Sequence, residues 1–151
     1  KNRLLPDIIK SINTNKKLIV RNPKNIRPWQ HVIEPIFGYL KLAEKQYKKE
    51  KFNLKPNWNF GPNKNNFVRV IDILNILKKK FKINYKIINK QKFSETKILK
   101  LDNTKAKKLL NHHPKWDLKE SLNKVMEWNI DSKNNKHIRV VCEDQIEKYL
   151  N

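Results

Sequence analysis

Apolar residues recur along this chain in short bursts with two spacings, and the spacings mark its elements. Pro6 followed by Asp7, Ile8, Ile9 and Ile12 predicts a short helix with proline in its first turn, where a missing N–H costs nothing. Leu18-Ile19-Val20 is a compact β-like run closed by Asn22-Pro23. After Pro28 and Pro35, the positions Val32, Ile33, Ile36, Phe37, Leu40 and Ala43 keep helical spacing to about Tyr47. Trp58-Asn59-Phe60 is a strand candidate ended by the breaker pair Gly61-Pro62. The clearest helix follows, with Asn66 as its cap and Phe67, Val70, Ile71, Leu74, Leu77 and Phe81 down one face.

Tyr85 to Ile88 and Ile98 to Leu101 read as two further strands. Asp102 is placed to cap a helix through Ala106 and Leu109-Leu110. Asp117-x-x-Glu120 resembles a capping box opening a helix with Leu118, Leu122, Val125, Met126 and Trp128. A polar stretch, Asp131 to Lys136, leads into a tail at 137–151 with Val140, Val141, Ile146 and Tyr149. Strands alternating with helices give an α/β class. The strands are so few and short that the chain reads as part of an α/β enzyme rather than a whole sheet. No run approaches the ~18 apolar residues that span a membrane, so no membrane partner is expected.

Composition bounds the function. The 151 residues suit one domain, and the start at Lys1-Asn2-Arg3, with neither initiator Met nor signal peptide, reads as a chain that begins mid-fold. The single cysteine, Cys142, makes no internal disulfide and fits a reducing cytosol, hence a cytoplasmic location. A net charge of +21 invites a nucleic-acid reading. Yet the basic residues are 30 Lys against 5 Arg, beside 21 Asn, 17 Ile, 2 Ala and 2 Gly. Lys, Asn and Ile share adenine- and thymine-rich codons, so drift accounts for the charge, and arginine, the usual bidentate reader of bases and phosphates, is the scarce cation. No specific nucleic-acid partner is expected; a small basic nucleic-acid-binding protein stays as a distant alternative.

Much chemistry is absent. Gly38 and Gly61 are the only glycines, too few for a dinucleotide-binding or Walker loop. His112 and His113 are adjacent, point to opposite faces if extended and have no further ligand at metal spacing; a surface loop before Pro114 is the expectation, with no metal site. Tyr47-x-x-x-Lys51 matches a short-chain-dehydrogenase spacing, but Lys48, Lys49, Lys51 and Lys55 crowd that stretch and a chance match is expected. Cys142 has no paired base in the sequence and reads as an inert thiol. No catalytic residue is assigned.

Arg27 stands between a strand-and-turn and a helix start. A lone arginine there serves equally well as a surface charge or as a bidentate phosphate ligand beside helix amides. Its neighbours add information. Arg27-Pro28-Trp29-Gln30-His31-Val32-Ile33-Glu34-Pro35 resembles a signature of the CDP-glucose 4,6-dehydratases, members of the extended short-chain dehydrogenase/reductase superfamily. The resemblance continues in order through Arg3-Leu4-Leu5-Pro6-Asp7, Ile19 to Pro23, Gly38-Tyr39-Leu40, Trp58 to Pro62, Leu99 to Asp102, Lys105-Ala106-Lys107, Pro114-x-Trp116 and Asp144 to Glu147. The chain departs from the pattern at Ser94-Glu95, where the family has His-Glu, and at Leu110-Asn111-His112, where it has Leu-Gly-Trp.

The resemblance implies an α/β fold comprising the C-terminal, substrate-binding part of an extended, Rossmann-type enzyme, with the last helix and strand of the Rossmann sheet included. All of 1–151 would be one such region, with about 32–62 packing on a Rossmann sheet outside the chain. It implies that the complete enzyme converts CDP-glucose to CDP-4-dehydro-6-deoxyglucose and water, using an NAD held by an N-terminal Rossmann part that also carries the catalytic Tyr and Lys. The full-length enzyme would be a homo-oligomer, and this chain alone inactive. By matching positions, the CDP-sugar would be held by Arg27 at the pyrophosphate, Arg3 and Leu4 along the nucleotide, Asn59 or Asn63 near the pyrophosphate or ribose, and Glu95. A nucleotide-sugar epimerase or dehydratase of the same superfamily using another base is the nearest alternative.

Overall fold

The structure is a computed structural model that describes residues 3–48, 57–88, 96–134 and 136–151. Contacts divide the chain into two compact units, Lys1–Arg27 with Val68–Leu99, and Pro28–Phe67 with Lys100–Asn151.

The first unit carries the parallel pairing. Helix α1 (Leu4–Thr14) opens with Pro6 in its first turn and packs on strand β1 (Leu18–Arg21). Strand β4 (Tyr85–Ile88) lies parallel to β1, with Leu18 opposite Tyr85 and Arg21 opposite Ile88. A parallel pair needs a crossover, and helix α3 (Val70–Lys78) supplies its helical stretch. Short strands β2 (Ile26–Pro28) and β3 (Phe67–Arg69) form a second ladder, and the division between the units falls inside both. Ile8, Leu18, Val20, Ile73, Leu74, Leu77 and Ile83 make up the unit's buried apolar interior.

Helix α3 does not start where the sequence suggests. Periodicity extends it back to Phe67 with Asn66 as cap, but Phe67–Arg69 is strand and the helix begins at Val70. The Asp72 carboxylate explains the shift. It accepts the Arg69 backbone N–H at 3.0 Å and the Arg69 guanidinium at 2.9 and 2.8 Å, fixing Arg69 as the cap. The next two amides, Val70 and Ile71, donate to the carbonyls of Asn25 and Pro23, so the turn after β1 completes the helix start. Asn22 in that turn has φ 49°, and Asn15 and Asn111, which close α1 and helix α4 (Thr104–Leu110), have φ 54° and 49°. In a chain with 2 glycines, asparagine takes the left-handed positions, being the L-residue that tolerates them best. The 98–101 strand shrinks to one bridge, Ile98 beside Ile26.

The second unit is mainly helical: α2 (Ile33–Tyr47), α4, α5 (Leu118–Lys133) and α6 (Ile138–Leu150). Asp117 caps α5 as expected, accepting the Glu120 N–H at 2.7 Å. The 137–151 tail is a regular helix, burying Val141, Gln145 and Tyr149 on one face along α5. One apolar cluster joins Ile33, Trp116 and Tyr149, with Phe37 against it; another joins Phe60, Ala106 and Leu110, with Leu42 and Trp58. Trp58–Phe60 is not a strand; the Phe60 carbonyl takes a side-chain donor, Gln30 Nε2, and the preceding Asn57 carbonyl takes Lys105 Nζ.

Gly38 is the close approach between α2 and Phe60: a Cβ built there would clash with the Cδ1–Cε1 edge of the Phe60 ring. Alanine would gain about 1 kcal/mol of helix propensity, but overpacking a buried ring costs about 1–3 kcal/mol. Gly38→Ala is therefore expected to lower the midpoint of urea unfolding despite the better helix former; a raised midpoint would refute this packing.

Candidate functional site

The signature from Arg27 to Pro35 unfolds into a series of ties. Arg27 lies half-buried in β2, at the end of the first unit, with its Nη1 donating to the Ile26 carbonyl at 2.9 Å. From Pro28 onward the signature belongs to the second unit. The Trp29 N–H donates to the Asn66 carbonyl at 3.1 Å, and Gln30 Nε2 to the Phe60 carbonyl at 2.8 Å. His31 is buried, edge-on to Trp116 with ring centres 5.0 Å apart. Its Nδ1 accepts the Ile33 N–H at 3.3 Å and its carbonyl the Glu34 N–H at 3.1 Å. The first amides of α2 are thereby satisfied from within. This corrects the sequence-based picture of helix amides free to hold an anion beside the arginine.

Glu34, inside the signature, is fully buried. Its carboxylate accepts three hydrogen bonds: from the Trp116 N–H at 2.8 Å, the Lys115 N–H at 3.2 Å and the Tyr149 hydroxyl at 2.6 Å. Burial first, then the bond to Glu34 and its charge, push the Tyr149 hydroxyl far above the ordinary phenol range, so it stays a donor. Lys115 Nζ reaches past this centre to the carbonyls of Tyr149 and Leu150 at 2.7 and 3.2 Å, closing the end of α6. The sequence did carry a signal for this hub: a lone carboxylate among Ile33, Ile36 and Phe37 at a helix start must either be buried with donors or disrupt the apolar face.

Asn59 and Asn63 share one irregular loop of the second unit, 57–66, which ends in a single 3-10 turn at Lys64–Asn66. Asn59 is exposed. Asn63 is half-buried; its Nδ2 donates to the Pro114 carbonyl at 3.0 Å, and its Oδ1 accepts from Lys107 Nζ at 3.4 Å. Arg3 and Leu4 belong to the first unit, where Arg3 is the exposed cap residue of α1 and Leu4 its half-buried first residue. Glu95 and the adjacent Ser94 lie outside the described residues, as does Lys51; Tyr47 ends α2 almost fully exposed. Cys142 is an exposed free thiol.

The histidine pair divides differently from the surface loop expected. His113 is exposed, but His112 is 2% exposed and packs edge-on against Phe60 at 5.5 Å. Asn111 in the left-handed conformation turns the chain inward, and the His112 N–H donates to the Ala106 carbonyl at 3.3 Å. Among the described residues no group of three His, Cys, Asp or Glu could hold a metal.

No protein-family model matches this chain. The CDP-glucose 4,6-dehydratase of Salmonella typhimurium is 37% identical over 130 residues, which is 85% of this chain and 36% of that protein. Among solved structures, the UDP-glucuronic acid 4-epimerase of Bacillus cereus with UDP-glucuronic acid and NAD matches with a TM-score of 0.72 at 19% identity, over 86% of this chain and 40% of its own. The dTDP-glucose 4,6-dehydratase of Bacillus anthracis with NAD matches at 0.66 and 18%, over 92% and 42%. The fold is that of the C-terminal portion of an extended short-chain dehydrogenase/reductase. The chain thus spans about a third of the length of its curated relative. The residues present in this chain do not fit an NAD cradle. Gly38 faces Phe60 and Gly61 faces Leu101, and neither opens a strand-to-helix turn.

Both buried histidines favour the neutral form. Burial and then Lys124 lower the pKa of His31 from 6.5; burial and then Lys41, His113 and Lys107 lower that of His112. Below pH 6.5 the unfolded chain thus binds more protons than the folded one, so this stability is complete above 6.5 and is lost as pH falls toward the lowered values. Protonating His31 Nδ1 also removes the acceptor of the Ile33 N–H. The melting temperature should fall from pH 6.5 to 5, and His31→Asn, which keeps an acceptor but no titration, should flatten the slope. Identical slopes for the two proteins would contradict the assignment.

Proposed function

We propose that this chain is the nucleotide-sugar-binding part of an NAD-dependent CDP-glucose 4,6-dehydratase, a lyase that converts CDP-glucose to CDP-4-dehydro-6-deoxyglucose and water. The observation that carries the reading is the 37% identity to the Salmonella typhimurium dehydratase over 85% of this chain, in a fold shared with NAD-bound relatives. NAD supplies the redox chemistry when bound, and residues outside this chain would hold it. What this chain contributes is binding and orientation of the CDP-sugar.

Within that reading Arg27 reaches the pyrophosphate. Its guanidinium is the cation of the signature, and a guanidinium can grip a pyrophosphate bidentately. Arg3 and Leu4 lie along the nucleotide, Asn59 or Asn63 near the pyrophosphate or ribose, and Glu95 completes the set. Helix α2 leaves a row of apolar side chains in water: Val32, Ile36, Tyr39, Leu40 and Tyr47, from 44% to 89% exposed. A contiguous row of that kind marks a surface meant to be covered, and we assign it to the Rossmann part of the complete enzyme. The enzyme would be a homo-oligomer working in the cytoplasm; among the described residues no helix is long and apolar enough to cross a membrane.

A charge-assisted hydrogen bond contributes roughly 1.5–3 kcal/mol. Arg27→Ala in the complete enzyme is therefore expected to weaken CDP binding by about 10- to 100-fold in a calorimetric titration. An unchanged affinity would remove Arg27 from the site. Titrating CDP, UDP, GDP and dTDP side by side separates this dehydratase from an enzyme of the same fold that uses another base.

A further inference from the structure

The loop 57–66 is irregular apart from its closing 3-10 turn, and side chains from outside it hold its backbone at several points. Lys105 Nζ takes the Asn57 carbonyl at 2.9 Å. Gln30 Nε2 takes the Phe60 carbonyl at 2.8 Å. Asn103, itself buried, spans two residues, donating from Nδ2 to the Gly61 carbonyl at 2.7 Å and the Pro62 carbonyl at 3.3 Å. Beneath them Phe60, Gly61 and Pro62 are buried, and Asn59 is left exposed between the held positions 57 and 60. A strand would obtain this order from a ladder. Here two uncharged amide side chains, from either side of the loop in sequence, replace it.

We infer that Gln30 and Asn103 are positioning residues for nucleotide recognition: they fix the backbone on the C-terminal side of Asn59, so that its amide is presented to the CDP-sugar in one orientation. The inference rests on the proposed function and on Asn59 as a ligand. Each holds a carbonyl rather than substrate, so each acts through Asn59 and not beside it. A loop released from Gln30 keeps its buried Phe60 ring in place, because that ring packs on Ala106, Leu110 and Tyr39. What it loses is the fixed direction of the Phe60–Gly61 peptide, one residue beyond Asn59.

Acting through Asn59 has a signature in a double-mutant cycle. In the complete enzyme, CDP affinity is measured by calorimetry for wild type, Asn59→Ala, Gln30→Met and the double variant. Gln30→Met keeps the length and bulk and removes the amide, and with it the donor to the Phe60 carbonyl. Asn103→Asp, of unchanged size, removes the other donor and serves if Gln30→Met does not fold. Gln30→Met alone should weaken CDP by about threefold to tenfold, the effect of one such bond. Combined with Asn59→Ala it should cost nothing further. Independent, multiplying losses would overturn the inference, as would a wild-type affinity in Gln30→Met. Binding indifferent to Asn59→Ala would overturn it while leaving Arg27 in the site. A wild-type enzyme that does not bind CDP at all would overturn the functional reading as well.

Discussion

A carboxylate with no access to water is the constraint around which the second unit is arranged. Glu34 sits at the start of α2, and leaving an ionised group there without partners would cost several kcal/mol. Three donors meet it, two from the backbone of Lys115 and Trp116 and one from Tyr149 near the end of α6. The consequence is topological. One side chain ties the helix after the signature to the segment before α5 and to the last helix of the chain, three places far apart in sequence. The aromatic rings follow: Trp116 lies edge-on to Tyr149 at 5.1 Å and to His31 at 5.0 Å, and Phe37 leans on Tyr149.

The 57–66 loop hangs on the same frame. Lys115 and Trp116 follow Pro114 directly, and the Pro114 carbonyl accepts the amide of Asn63. Holding 115–116 against Glu34 thus holds the far end of the 57–66 loop, while the signature holds its middle through Gln30 and its end through the Trp29 N–H to Asn66. Most of the signature's polar residues are thus spent on internal order.

Much of this was legible in the sequence, for physical reasons. Helices α1 and α2, β1, β4 and the Asp117 cap follow from period and capping chemistry, which are local. What was missed depends on partners remote in sequence. Trp58-Asn59-Phe60 has strand composition, but no neighbouring strand offers it a ladder, and Gln30 intercepts its carbonyl. The start of α3 moved because Asp72 outcompetes Asn66 as the capping group. His112 looked like a loop residue, but asparagine in place of glycine at 111 still turns the chain and buries it. Of the six residues proposed to bind the nucleotide, Asn59 and Asn63 belong to one loop, Arg3, Leu4 and Arg27 to the first unit, and Glu95 lies outside the described residues; the roles of all six rest on resemblance.

Hydrogen exchange at single residues reaches the claim about Glu34 most directly. The amides of Lys115 and Trp116 should exchange slowly in the wild-type protein, since each donates to a buried carboxylate. In Glu34→Gln, which keeps the shape but sets an amide group against those donors, both should exchange quickly. The Trp29 and Asn66 amides, which belong to the loop frame, should lose protection with them. Faster exchange confined to Lys115 and Trp116, with Trp29 and Asn66 unchanged, would show that the buried carboxylate does not organise the loop.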